Sequence, residues 1–141
     1  MRYLVDTNIW IEFLRKNPKV RTRLRETLAP RNEICVIPIV YYELLRGLEK
    51  RHDRGSIAFI KQFWATLSYH EATKHIWDEA ICLRVMSTRQ NTNPGDKDIF
   101  IAAFAIQLSA TVVTRNIRHF RSFDYQQKTG LMTDYPDPTD G

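Results

Sequence analysis

Cysteine is scarce in this chain. Two residues in 141, Cys35 and Cys82, lie far apart in sequence, and neither sits in a CxxC pair or a local Cys/His cluster. A disulfide framework and a thiolate zinc site both lack support from this spacing; reduced thiols are expected. Glycine and proline are also few, five and six residues, which rules out a collagen-like or low-complexity chain. Long hydrophobic runs are missing as well. No apolar stretch approaches the ~20 residues of a membrane span. The N-terminal residues carry an acid at position 6 instead of the apolar stretch of a secretory leader. A cytoplasmic protein with no membrane partner is the expectation.

Of the residues, 43% are hydrophobic and 26% charged, a globular balance sufficient for one domain with its own core. Twenty-one Lys and Arg against sixteen Asp and Glu give a net charge of +5. That sign favours polyanionic partners. Arg15, Lys16, Lys19, Arg21, Arg23 and Arg25 form one basic cluster, and Arg46, Lys50, Arg51 and Arg54 a second. Each fits contact with phosphates, but for either cluster alone a solvated helix face is the favoured reading.

The hydrophobic pattern alternates strand with helix. Tyr3-Leu4-Val5 reads as a strand, followed by a helix whose apolar positions are Ile9, Trp10, Phe13 and Leu14. Pro18 opens a second helix and Pro30 stops it. Ile34-Cys35-Val36-Ile37 is a short, β-branched run of the kind found in buried parallel strands. Helices are predicted from Ile39 to about Lys50, from Ile57 to Leu67 and from Ala72 to about Arg89, with a loop over Gln90 to Lys97. Ile99 to Ile106 is apolar throughout and predicts a helix buried on nearly every side. Thr111-Val112-Val113-Thr114 is a third strand, Ile117 to Phe120 a helical turn, and the polar residues from 124 to 141 a tail. The implied fold is α/β, a small parallel sheet sandwiched by helices and spanning residues 1–123.

In such sheets ligands gather at the carboxyl ends of the strands. Asp6 follows the first strand, Glu43 lies in the helix after the second, and Asp98 opens the helix leading into the third. The three acids can converge on one rim, where mutual repulsion would raise their pKa values unless a cation neutralised them. Oxygen donors without His or Cys favour Mg²⁺, with Mn²⁺ able to substitute, and suit phosphoryl chemistry. Capping is the competing role: Asp6 and Asp98 both stand where an acid caps a helix or complements its dipole. Asp96 reads as solvated or supporting, not as a ligand.

Four segments in order carry a resemblance: Leu4-Val5-Asp6-Thr7-Asn8, Glu43-Leu44 with Gly47, Asp98 ahead of Ile101-Ala102-Ala103, and Val113-Thr114-Arg115-Asn116 with Phe120. Together they resemble the PIN-domain family, in particular VapC-type toxins of toxin–antitoxin modules, over residues 1 to about 123. The resemblance implies an Mg²⁺-dependent endoribonuclease with Asp6, Glu43 and Asp98 as the acidic pocket and Asp6 and Asp98 as the metal ligands. It implies pocket-lining hydroxyls at Thr7 and Thr114. Asn116 stands where the family often has a fourth acid, which points to a one-metal site. A cognate antitoxin and a homodimer are the implied protein partners, with Trp10, Phe13, Tyr41 and Tyr42 as aromatics for a groove or, for Trp10 and Phe13, for the core.

Two other classes compete. An Mg²⁺-dependent phosphatase also places an Asp after the first strand, but the haloacid-dehalogenase-like version needs a second Asp where this chain has Asn8. A non-catalytic nucleic-acid-binding module would use the basic charge alone. His52, His70, His75 and His119 are scattered, and the sequence pairs none of them with a second group, which argues against a histidine acid/base ribonuclease.

Overall fold

The structure is a computed structural model that describes residues 1–124 and 132–133. Its centre is one parallel sheet built from β1 (Arg2–Val5), β2 (Glu33–Val36), β3 (Ser68–Tyr69), β4 (Ala110–Val113) and β5 (Met132–Thr133), in the order β3-β2-β1-β4-β5. β1 is central and pairs with β2 on one side and β4 on the other, with Leu4 opposite both Cys35 and Val112. β4 is buried at all four positions, as expected of a parallel strand covered on both faces.

The helices are α1 (Thr7–Leu14), α2 (Pro18–Thr27), α3 (Pro38–Lys50), α4 (Arg54–Trp64), α5 (Lys74–Arg89), α6 (Asp96–Leu108) and α7 (Ile117–Asp124). Local chemistry fixes several starts. Asn17 caps α2 through its side-chain oxygen, with Pro18 at the first helical position, and Asp53 and Thr73 cap α4 and α5 in the same way. The chain runs outward from β1 to β3, then crosses back to β4 and β5. Right-handed crossovers put α1 to α4 on one face and α5 to α7 on the other. The helix contacts agree: α1 packs on α2 and α3, and α6 on α5 and α7.

The core occupies both faces. Trp10 is fully buried, with its ring edge-on to Phe13, Phe63 and Trp64 at 5.7–6.0 Å. On the other face α6 buries Ile99, Ile101, Ala102, Ala103, Phe104 and Ala105, the enclosed helix that its composition predicts. Trp10 and Phe13 are thus core residues, whereas Tyr41 and Tyr42 are exposed. No helix among the described residues is long and apolar enough to cross a membrane.

Three expectations change. β3 has only two residues and carries no periodic signal. α6 starts at Asp96, inside the segment expected to be a loop, because Gly95 supplies the extended residue ahead of it. Within the polar tail, Met132–Thr133 pairs with β4 as an edge strand; the remainder of 125–141 lies outside the described residues.

Candidate active site

Strand order reverses direction between β1 and β4, and the crevice beyond their carboxyl ends is where an open parallel sheet binds its ligand. Asp6 and Thr114 are the residues that immediately follow those two strands. Both are fully buried, and the Thr114 hydroxyl donates to Asp6 Oδ2 at 2.8 Å. The Thr7 amide donates to Asp6 Oδ1 at 2.7 Å, and the Asp6 amide donates to the Val113 carbonyl at 2.9 Å. Asp6 does cap α1, but its carboxylate also lies 3.5 Å from the Lys97 ammonium. Burial pushes its pKa above the ordinary carboxylate value, against the lowering pull of Lys97 and of its hydrogen bonds to Thr114 and Thr7.

Asp98 lies in the first turn of α6, where the helix dipole favours a negative charge, and it is buried. It is not the cap, which is Gly95. His119 Nδ1 lies 2.8 Å from Asp98 Oδ2, while Asp98 Oδ1 is buried with no hydrogen-bond partner among the described residues. Glu43 reaches the same crevice from α3. The Lys97 ammonium lies 3.5 Å from Asp6 Oδ1 and 3.5 Å from Glu43 Oε1, so the two carboxylates share one cation. Burial pulls the Lys97 pKa down, but the charges of Asp6, Glu43 and Asp98 outweigh it and leave the group raised.

Asp6 and Glu43 therefore flank one ammonium, and Asp98 adds its charge from the position next to Lys97 in sequence. The three acids do not close into a single tight trio: among the described residues the one set whose donor atoms all lie within 4.8 Å of one another is Glu33, Cys35 and His70, between β2 and β3. Thr114 accepts from the Asn116 amide at 3.0 Å, so Asn116 braces the hydroxyl through its backbone. The Thr7 hydroxyl is buried without a hydrogen-bond partner among the described residues. Asp96 points away, is largely exposed, and pairs with Arg84 at 2.6 Å.

Sequence reasoning missed Lys97, placing it in a loop, and His119, leaving it unpaired. A cation one residue before an acid, or a histidine 21 residues beyond it, acquires meaning only when α6 and α7 pack together. The basic clusters are partly engaged locally: Arg15 pairs with Glu12, Arg54 with Glu49, Arg21 lies over the Phe13 ring and Arg46 over Tyr42.

A model of the PIN-domain family matches residues 3–124. Ribonuclease VapC19 of Mycobacterium tuberculosis is 30% identical over 122 residues, covering 85% of this chain and 93% of that protein. The structure of VapBC2 from Rickettsia felis bound to a DNA fragment from their promoter superimposes with a TM-score of 0.79 at 26% identity, over 95% of this chain and 98% of that one. VapBC-1 from nontypeable Haemophilus influenzae gives a TM-score of 0.81 at 24% identity, over 99% of this chain and 100% of that one, a likeness of fold.

Proposed function

The chain belongs to the PIN-domain family, and on that footing we propose that it is a Mg²⁺-dependent endoribonuclease hydrolysing RNA phosphodiester bonds, the toxin of a bacterial toxin–antitoxin pair. The observation that supports the reading is the pairing of Asp6 and Glu43 with one ammonium, that of Lys97, at the switch point of the sheet, next in sequence to the buried Asp98.

The donor set fits a hard divalent ion. It offers only oxygens, one of them, Asp98 Oδ1, buried and unpartnered, and the pocket already draws a cation into its middle. Asp6 and Asp98 would hold the ion, with Mn²⁺ acceptable in place of Mg²⁺. When bound, such an ion acidifies a water and offsets the charge that builds on the phosphoryl oxygens. The chain's own residues do the rest. Thr114 and the Thr7 amide fix the Asp6 carboxylate, and His119 holds Asp98 Oδ2 and leaves Oδ1 available. Glu43, half-buried at the rim, positions the attacking water and accepts its proton. Lys97 carries its positive charge beside both acids, where an incoming phosphate also needs it.

We assign the nuclease to residues 1–123 and place the protein in the cytoplasm, as a homodimer held inactive by a cognate antitoxin. The relatives named as VapBC assemblies support the antitoxin partner. The phosphatase reading loses ground because Asn8, where it needs an acid, accepts from the Arg115 amide instead. The binding-module reading loses ground because Asp98 is not a cap.

The test is cleavage of total RNA by purified protein, with Mg²⁺ and with chelator, followed by mapping of the new ends. Mg²⁺-dependent ends that disappear in Asp6→Asn and Asp98→Asn support the reading. Equal cleavage by either folded variant removes it.

A further inference from the structure

The clearest chemistry outside the crevice lies between β2 and the edge strand β3. Glu33 and Cys35 are two apart on β2 and so project from the same face; Ser68 of β3 is in register with Cys35, which puts His70, two residues on, on that face too. His70 is fixed by its own amide, which donates to the Val36 carbonyl at 2.9 Å, and its Nε2 lies 2.9 Å from Glu33 Oε1. The Sγ, Nε2 and carboxylate oxygen all fall within 4.8 Å of one another. Arg2 Nε donates to the other carboxylate oxygen, Oε2, at 2.8 Å, leaving Oε1 directed at the trio. An outer partner that orients a ligating carboxylate is a recurring part of metal sites.

We propose that Glu33, Cys35 and His70 form a second cation site, selective for a borderline transition ion of the zinc class and independent of the nuclease pocket. One sulfur, one imidazole nitrogen and one carboxylate oxygen match the ligand preferences of Zn²⁺ and Co²⁺ and are poor ligands for Mg²⁺, the reverse of the oxygen-only crevice. Binding exchanges the thiol proton, released to solvent, and the His70–Glu33 hydrogen bond for three bonds to the ion. It would clamp the two-residue edge strand β3 to β2, which feeds directly into the helix carrying Glu43.

Cobalt titration of the reduced full-length protein tests this, because a thiolate–Co²⁺ charge-transfer band reports sulfur ligation and the carboxylate crevice cannot produce one. The expected result is a saturable band at one equivalent, retained in Cys82→Ser and in Asp6→Asn/Asp98→Asn, and lost in Cys35→Ser. His70→Gln, which leaves the buried cysteine untouched, should weaken cobalt binding roughly 100-fold, at or beyond the upper end for loss of an outer partner. No band in the wild type, a band that survives Cys35→Ser, or wild-type cobalt affinity in His70→Gln would each overturn the proposal.

Discussion

Replacing Lys97 with methionine keeps the side-chain stem and removes the charge that Asp6 and Glu43 share. At 3.5 Å from an oxygen of each, the ammonium contributes about 5 kcal/mol of Coulomb attraction per pair at an effective dielectric of about 20. Desolvation takes back much of this, and losing one member of a buried pair typically costs about 3–5 kcal/mol. The Lys97 side chain is 26% exposed, and Asp6 keeps its two hydrogen-bond donors. A loss of about 2–3 kcal/mol is therefore expected for the metal-free protein at pH 7. For a chain of this length that is a fall in melting temperature of roughly 8–12 °C. Divalent cations should then rescue the variant. An ion at about 100 times its Kd adds about 2.7 kcal/mol to any protein it binds only when folded. Because the variant has no ammonium to displace, it should also bind Mn²⁺ more tightly than the wild type. Thermal melts in chelator and in Mn²⁺, with calorimetric titration of Mn²⁺, read both effects. A wild-type melting temperature in chelator together with an unchanged Mn²⁺ Kd would refute the idea that Lys97 balances the charge of the carboxylates.

Other substitutions probe the same network from different sides. Asp6→Asn should fold with a metal-free melting temperature at or above that of the wild type, because burial holds the carboxyl pKa up and the ionised form opposes folding at neutral pH; a clear drop in a melt counts against this. Thr114→Val removes the hydroxyl that fixes Asp6 and should cost about 1.5–3 kcal/mol by urea denaturation. It should also lower kcat/KM roughly tenfold or more, and unchanged kinetics would show that Thr114 does not position the carboxylate. Glu33 is held down at about 2, first by His70 and then by Arg2, against an ordinary value of 4.5. Its stabilising contribution is complete above pH 4.5 and disappears as pH falls to about 2. Glu33→Gln should therefore be less stable than the wild type at pH 6, with the gap closing near pH 2 in urea titrations.

The alternation of short β-branched runs with 3.6-period helices made the sheet and most helices legible, since burial on both faces demands that pattern. Asp6, Glu43 and Asp98 were candidates because strand ends in parallel sheets point to one rim, and Asp6 and Glu43 meet there at Lys97. The edge strands were not: Ser68–Tyr69 and Met132–Thr133 are two residues each, too short for any period, and exist because a neighbour offers hydrogen bonds. Lys97 and His119 were hidden for a different reason. Their roles depend on which way α6 and α7 present them, a tertiary fact that local spacing does not encode. The Cys35 cluster is the same lesson at longer range, since His70 lies 35 positions from that cysteine and meets it only through strand pairing.

Anomalous diffraction from a crystal soaked in Mn²⁺ locates the ion directly. A peak bounded by carboxylate oxygens of Asp6 and Asp98, with the Lys97 ammonium moved away from Asp6, is the predicted result. A crevice without a peak, in crystals whose protein cleaves RNA under the same Mn²⁺ concentration, would contradict it.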